Sequence, residues 1–223
     1  MFMQSIEAGS FLYPFDSNPF NKSRADWLMK YWEWVYSIPI SQSPREDSSG
    51  MNCGVNQNGS VWFLDSPIGV SKFSTSCSIP EGKAIFVPLL LGICGLVDAE
   101  DKSDEGITKC ATEGNDGGRV KLIIDDKTQL ELLDAVKSKK DYESNRTITD
   151  FFKLYSVKDN IYNDPEGLDR KRAEGIFAII KPLPVGNHLI FFHVNVITPY
   201  AEKADDYNYS LDVTYYLKII KSN

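Results

Sequence analysis

Alternating apolar and polar residues predict a pair of strands in residues 173–197, AEGIFAIIKPLPVGNHLIFFHVNVI. Two apolar runs flank a segment that contains Pro182, Pro184 and Gly186, which predicts a β-hairpin or a tight corner between strands. In the second run one face is almost entirely apolar, because a strand points every second side chain to the same side. That face consists of His188, Ile190, Phe192, Val194 and Val196. It needs a core, so we expect the rest of the chain to close over it.

Further strands are predicted along the chain. The clearest half-buried strand lies at residues 211–220, where apolar and polar residues alternate. Shorter apolar runs predict strands at residues 60–65, 84–91 and 120–124. In the second of these runs, Pro88 has no backbone N–H to donate, and it therefore predicts a sheet edge or a β-bulge.

Helix signals are strongest near the N terminus. Ser23 followed by Asp26 is a variant of the capping box, and apolar residues then recur at helical spacing as far as Ser37, just before Pro39. Apolar spacing with a lysine-rich end predicts a second helix at residues 128–139, and a short third helix is expected at 147–155. Residues 98–118, which are acidic and glycine-rich, and residues 160–172 are predicted to be loops.

These elements predict a mainly β fold with a minor helical part. We expect an antiparallel β-sandwich of jelly-roll or Ig-like type, with an N-terminal Trp-rich helix and one or two short inserted helices. A chain of 223 residues can bury a large core as one domain. The expected organisation is an irregular segment at residues 1–22 and a single sandwich domain at 23–223, with a variable insertion near residues 98–170.

Charge and hydropathy argue against two kinds of partner. A net charge of -7 and a pI near 4.9 make nucleic acid and anionic membranes poor partners for the average surface. No run approaches the roughly 20 apolar residues of a membrane span. The N terminus, MFMQSIEAGSFLYPF, lacks the pattern of a signal peptide, so an exported protein would be expected here in processed form or shortened for expression.

The cysteines suggest an oxidising compartment. Cys53, Cys77, Cys94 and Cys110 are separated by turn-rich sequence, and of the three pairings we favour the two short loops, Cys53 with Cys77 and Cys94 with Cys110. The alternatives are buried reduced cysteines and a structural zinc site, the latter disfavoured because no CxxC spacing occurs. Candidate glycosylation triplets add mildly to an extracellular interpretation, and they begin at Asn21, Asn58, Asn145 and Asn208.

Several segments together resemble a family of uncharacterised exported proteins of bacteria and archaea. They are WLMKYWEWVYSIP, GMNCGVNQNGSVWFL, CSIPEGKAIFVPLL, GIFAIIKPLPVGNHLIFF and LDVTYYLKI. The resemblance implies export and a Cys53 to Cys77 bridge, but it implies no activity, and Cys94 and Cys110 lie outside it. The matching positions are Trp32, Trp34, Cys53, Gln57, Gly59, Trp62, Phe63, Cys77, Pro80, Gly82, Lys83, Pro88, Pro182, Leu183, Gly186, His188 and Asp212.

Two candidate sites lie near the Trp-rich helix. Trp32, Glu33 and Trp62 are the candidate binding residues, since ring faces can stack on a sugar while a carboxylate accepts hydroxyl hydrogen bonds. The plainer interpretation of the tryptophans is core packing. Glu33 and Asp47, with Asp65 as a further candidate, are the carboxylates that a glycoside hydrolase would need.

Other chemistries find no support in the sequence. There is no nucleophile elbow, P-loop or G-x-G-x-x-G turn. His188 and His193 fall on opposite faces of one strand and cannot share a metal, and His188 is expected to form structural hydrogen bonds at the corner. The acidic residues of 98–105 lack EF-hand spacing, so no metal or cofactor is predicted.

The sequence therefore predicts a non-enzymatic extracellular or cell-envelope protein. It would bind a glycan or another envelope protein, or assemble with copies of itself by strand addition. The alternative is a secreted carbohydrate-active hydrolase that uses Glu33 and Asp47.

Overall fold

The computed structural model describes residues 11–67, 69–115, 118–132, 145–196 and 209–222. In these residues ten strands form two five-stranded sheets. The first sheet consists of β1 (Val61–Phe63), β3 (Ala84–Gly95), β6 (Thr147–Ile148), β7 (Phe152–Ser156) and β8 (Gly167–Ile180). The second consists of β2 (Lys72–Pro80), β4 (Gly118–Ile124), β5 (Lys127–Leu132), β9 (Gly186–Val196) and β10 (Tyr209–Ile220).

The two sheets enclose the main core, which confirms the predicted mainly β, sandwich-like fold. Ile85 and Ala178 of the first sheet belong to the same buried cluster as Ile190, Phe192 and Val213 of the second. The alternating faces predicted for β9 and β10 are observed in both strands. Jelly-roll or Ig-like topology stays a prediction.

Most neighbouring strands pair antiparallel as predicted, but both sheets are mixed. β1 pairs with β3 in parallel, and β2 pairs with β10 in parallel. The connection from β1 to β3 runs through β2 in the other sheet, so β3 returns in the same direction as β1. Only antiparallel neighbours can be joined by a short hairpin, whereas parallel ones need such a crossover.

The segment between β8 and β9 is a corner and not a hairpin. β8 lies in the first sheet and β9 in the second, so residues 181–185 carry the chain from one sheet to the other. Leu183 is buried and anchors this corner to the core. Of the two predicted alternatives, the strand-to-strand corner is confirmed.

Helix α1 (Arg24–Tyr36) forms a second core on the outer face of the first sheet. Its predicted capping box is present, with the Ser23 side chain accepting from the Asp26 N–H and the Asp26 carboxylate accepting from the Ser23 N–H. The helix ends at Ser37 as predicted. Its aromatic side chains are buried, and Tyr31 stacks on Phe86 of β3 with ring centroids 4.9 Å apart.

Several predicted local structures are wrong. Residues 128–132 of the second predicted helix belong to β5, because Asp125 and Asp126 adopt positive φ angles and turn the chain back after β4. The helix's remaining residues lie outside the described ranges. The third helix is replaced by β6 and β7, and β8 begins at Gly167 inside a predicted loop. The acidic loop contains helix α2 (Asp104–Thr112), which Ser103 caps.

Both predicted disulfides are confirmed. Cys53 joins Cys77 and Cys94 joins Cys110, with Cα atoms 5.7 and 5.8 Å apart. The second bridge ties α2 to the first sheet beside a small buried cluster of Ala99, Ile107 and Ala111. In the described part of the chain, no helix combines the length and the apolar character needed to cross a membrane.

Removing the second bridge is expected to destabilise the protein measurably. The Cys94→Ala/Cys110→Ala variant should lose about 3 kcal/mol of unfolding free energy, because the bridge closes a short loop in the unfolded chain. Chemical denaturation monitored by circular dichroism would measure this loss. Alkylation of the unfolded, non-reduced wild type should label no cysteine; labelling of Cys94 and Cys110 there would contradict the bridge.

Candidate functional site

A β-bulge in β3 creates a cavity beside the Trp-rich helix. The register between β3 and β8 shifts between Pro88 and Leu90, which confirms the bulge predicted from Pro88. Among the described strands, β1 pairs with β3 only over Ala84–Phe86, so Pro88 also lies where β3 pairs with β8 alone. Gly175 of β8 lies opposite, with φ +153°, and a Cβ there would be 2.3 Å from the carbonyl oxygen of Leu90. Glycine therefore permits the close approach of the two backbones that the bulge requires.

The cavity has a volume of about 190 Å³ and lies between α1, the bulge and the adjoining ends of β9 and β10. Its walls are mainly apolar. The aliphatic and proline part consists of Pro67, Pro88, Leu89, Leu90, Leu91, Val194 and Leu211. The aromatic part consists of Tyr31, Trp32, Tyr162 and Tyr209. Arg45 and Ser66 complete the lining.

Arg45 of the cavity lining belongs to a buried ion pair, whose partner Asp65 lies outside the lining. Arg45 and Asp65 are each only 3% exposed. The Arg45 Nη2 lies 2.7 Å from Asp65 Oδ1, and its Nε lies 3.1 Å from both carboxylate oxygens. Arg45 is held in a single 3-10 turn, Pro44–Glu46, in which the Ser43 hydroxyl accepts from the Arg45 N–H. The fork of the guanidinium thus meets the carboxylate in the geometry that both groups favour.

Tyrosines complete the hydrogen bonding of the ion pair. Tyr31 donates its hydroxyl to Asp65 Oδ1 at 2.7 Å, the Ser66 N–H donates to the same oxygen at 2.8 Å, and Arg45 Nη1 donates to the Tyr162 hydroxyl. The Tyr215 hydroxyl donates to the Asp65 backbone carbonyl. The carboxylate therefore has partners from an arginine, a phenol and a backbone amide, as a buried charge requires.

The protonation states follow from this arrangement. Burial alone would lower the pKa of Arg45, but the attraction of Asp65 outweighs it and holds the pKa well above its usual value. Burial and the neighbouring Asp65 both raise the pKa of Tyr31. Burial also raises the pKa of Tyr162, against the opposing effect of Arg45. At neutral pH Arg45 is therefore charged, and Tyr31 and Tyr162 are neutral phenols.

Trp32 is the one predicted binding residue that lines the cavity. It is 3% exposed, and its indole Nε1 has no hydrogen-bond partner among the described residues. The other tryptophans of α1 differ, since Trp27 Nε1 donates to the Pro19 carbonyl at 3.0 Å and Trp34 Nε1 to the Val55 carbonyl at 2.9 Å. A buried N–H without an acceptor is unusual and costly. Trp62 Nε1, in the core between the sheets, is a second such group among the described residues, so an orphaned indole does not by itself mark a ligand site.

The remaining predicted site residues lie elsewhere. Trp62 is buried in the core between the sheets and does not line the cavity. The side chain of Glu33 is 46% exposed and pairs with Lys30 at 2.6 Å. Asp47 organises its own loop: burial would raise its pKa, but hydrogen bonds from Ser49 and Asn52 lower it below the usual value. The predicted sugar platform of Trp32, Glu33 and Trp62 is thus not assembled on one surface.

The carboxylates of the hydrolase hypothesis share no room for a sugar. Asp47 and Asp65 both line a void, but its volume is about 10 Å³. This is space for about one water molecule. Glu33 lines neither this void nor the larger cavity.

The histidines and the acidic segment have structural roles. His188 Nδ1 lies 2.7 Å from Asp125 Oδ2 and its Nε2 lies 2.9 Å from the Pro184 carbonyl, which confirms the predicted hydrogen bonding at the corner. In the acidic segment, Asp98 pairs with Lys171 and Asp104 with Arg170. The described ranges contain no cluster of three or more side chains suited to a metal ion.

Gln57 and Lys83, two positions of the predicted resemblance, stabilise the loop before β1. The side-chain amide of Gln57 accepts from the Phe63 N–H at 2.9 Å and donates to the Phe63 carbonyl at 2.7 Å, while the Lys83 ammonium donates to the Gly59 carbonyl. These bonds hold the loop before β1 against the strand. Gln57 and Lys83 therefore have structural roles.

The candidate glycosylation positions differ in exposure. Asn21 and Asn58 are exposed, Asn145 is half-buried, and Asn208 lies outside the described residues. Glycosylation stays a prediction at all four.

Comparison with known proteins does not assign the chain to a family. The chain matches no family model, no curated protein and no solved structure. The resemblance to exported proteins stays a prediction, and function must be argued from the cavity itself.

Proposed function

We propose that the protein is a non-enzymatic binding protein of the extracellular space or cell envelope, and that the cavity of about 190 Å³ beside Trp32 is its ligand site. The observation that carries this proposal is the cavity itself, whose walls are mainly aliphatic and aromatic, with Arg45 and Ser66 among its polar lining residues. Two disulfides favour the extracellular setting, because such bridges persist in oxidising compartments.

The size and lining of the cavity favour a small, mainly apolar ligand. An engineered apolar cavity of roughly 150 Å³ is known to stay dry and to bind benzene. A slightly larger cavity with aliphatic and aromatic walls suits a single substituted ring or a short branched chain. A glycan would leave most of its hydroxyl groups unpaired against these walls, so the lining favours an apolar ligand over a sugar.

The hydrolase alternative has less support. Glycoside hydrolysis needs two carboxylates that flank a sugar-sized space. Asp65 is bound to Arg45, Glu33 is paired on the outer surface of α1, and Asp47 caps its own loop. Strand addition between subunits stays a prediction, as does a protein partner.

Ethylbenzene is a suitable probe of the proposed site. We expect saturable binding by the wild type in a protein-observed NMR titration, with chemical-shift changes at the indole of Trp32. Leu91→Trp, which adds volume to a cavity-lining position, should abolish the binding. Leu168→Trp is the matched control, because Leu168 is 69% exposed on β8 away from the cavity, and it should bind like the wild type. Absence of saturable binding to the folded wild type would refute the proposed site.

A further inference from the structure

We infer that Asn58 is a site of spontaneous deamidation, at which its side-chain amide is converted into a carboxylate. The site lies in the loop before β1 and is separate from the proposed ligand cavity. Asn58–Gly59 is the single Asn–Gly step in the sequence. In a folded chain, an asparagine reacts only if the backbone N–H that follows it is free to attack, so the structure can be used to select the reactive position.

The reaction needs a backbone nitrogen, a side-chain amide and water. The Gly59 nitrogen loses its proton to hydroxide and attacks Asn58 Cγ. The Cγ–Nδ2 bond then breaks, and Nδ2 takes a proton from water and leaves as ammonia. The product is a five-membered succinimide ring. Water opens this ring at either of its two carbonyls, so that asparagine and water become ammonia and either aspartate or isoaspartate.

Gly59 meets these requirements in the structure. Its backbone N–H has no hydrogen-bond partner in the described part of the chain. Asn58 and Gly59 are both exposed, so water and hydroxide can reach them. No heavy atom lies within 4 Å of the position that a Cβ of Gly59 would occupy. Without a side chain, the backbone of Gly59 can adopt the bend that brings its nitrogen to Asn58 Cγ.

Other exposed asparagines lack one of these features. The N–H that follows Asn21 belongs to Lys22, and it donates to the Pro19 carbonyl at 3.3 Å. This nitrogen cannot attack without breaking its hydrogen bond. Asn56 lies in the same loop as the reactive position, but its Nδ2 donates to the carbonyl and the hydroxyl of Ser37 at 3.2 and 3.1 Å. Asn21 and Asn56 are therefore internal controls.

Deamidation and glycosylation compete for the same atom. Asn58 begins the candidate glycosylation triplet Asn58–Gly59–Ser60. A glycan would be attached to Nδ2, the nitrogen that leaves as ammonia, so each modification prevents the other. The isoaspartate product also inserts a methylene into the backbone directly before Gly59, whose carbonyl accepts from Lys83. Deamidation thus changes the loop that is held against β1.

The test uses the full chain with its disulfides intact, purified from a host that does not glycosylate it. After incubation at mildly alkaline pH, peptide mapping by mass spectrometry should find aspartate and isoaspartate at Asn58, with Asn21 and Asn56 unchanged. The rate should rise with pH, because hydroxide removes the Gly59 proton. It should lie within about threefold of the rate at Asn58 in the same chain unfolded in urea, as expected for a loop that needs no opening.

Two variants complete the experiment. Ser60→Ala removes the glycosylation triplet but keeps the Asn–Gly step, and it should deamidate like the wild type. Gly59→Ala should slow the reaction about tenfold in the folded and the unfolded chain, because a Cβ restricts the backbone of the attacking residue. An Asn58 that stays intact in the folded chain while the unfolded chain reacts would overturn the inference. So would equal deamidation of Asn21 or Asn56 in the folded chain, or an unchanged rate in Gly59→Ala.

Discussion

Replacing Arg45 with methionine is expected to lower the unfolding free energy by about 3–5 kcal/mol, because it leaves the Asp65 carboxylate buried without its counter-charge. Asp65 is 3% exposed, and only Tyr31 and the Ser66 N–H would remain as donors to its carboxylate. Urea denaturation at neutral pH, followed by tryptophan fluorescence, measures the loss.

The double variant Arg45→Met/Asp65→Leu is the matched control for this prediction. Removing both charges avoids the uncompensated carboxylate, so the double variant should be more stable than Arg45→Met alone. Additive losses in the two single variants and the double variant would contradict the structure, since they would mean that the two side chains do not interact.

Lys171→Met is expected to have a comparable effect, about 3–5 kcal/mol at neutral pH. The Lys171 side chain is 0% exposed, and its ammonium lies 2.7 Å from Asp164, 2.8 Å from Asp98 and 3.3 Å from Asp169. Without the ammonium, three carboxylates face one another. The exposed Lys153→Met on β7 is the control and should change stability by less than about 0.5 kcal/mol.

The pH dependence of stability provides a second test of the Lys171 ion cluster. Burial alone would lower the pKa of Lys171, but its bonds to Asp164 and Asp98 raise it above the usual 10.5. A lysine whose pKa is higher in the folded protein than in the unfolded chain stabilises the fold fully at pH values below its unfolded pKa. This stabilisation is lost as the pH rises through the folded pKa. The stability difference between wild type and Lys171→Met, measured by denaturation from neutral to strongly alkaline pH, should therefore shrink above about pH 10.5. A difference that grows there would contradict the ion cluster.

Features with a local signal could be predicted from the sequence. The capping box at Ser23 and the alternating pattern of β10 each depend only on residues close in sequence. Both the helix α1 and the strand β10 are observed. The cysteine pairing was predicted by favouring two short loops, in which the cysteines lie 24 and 16 residues apart, and both bridges are confirmed. Pro88 predicted the bulge because it has no backbone N–H to donate to a neighbouring strand.

Features that depend on distant partners could not be predicted. Arg45 lies in a short polar segment that looks solvent-exposed, and its burial depends on Asp65 and Tyr162. β2 has an alternating pattern that remained unassigned, because its polar side chains resemble a loop until β10 pairs with it. Trp32, a predicted binding residue, lines the cavity, but the other lining residues come from distant parts of the chain and could not be grouped with it from the sequence.

The parallel pairing of β2 with β10 also has a kinetic consequence. Lys72–Pro80 finds its sheet partner in Tyr209–Ile220, near the other end of the chain. Such a pairing closes a long loop before its contacts provide any stabilisation, and folds rich in distant contacts form slowly. The second sheet cannot be completed until synthesis has reached β10, so we expect β2 to remain without this partner strand while the segments between them are made.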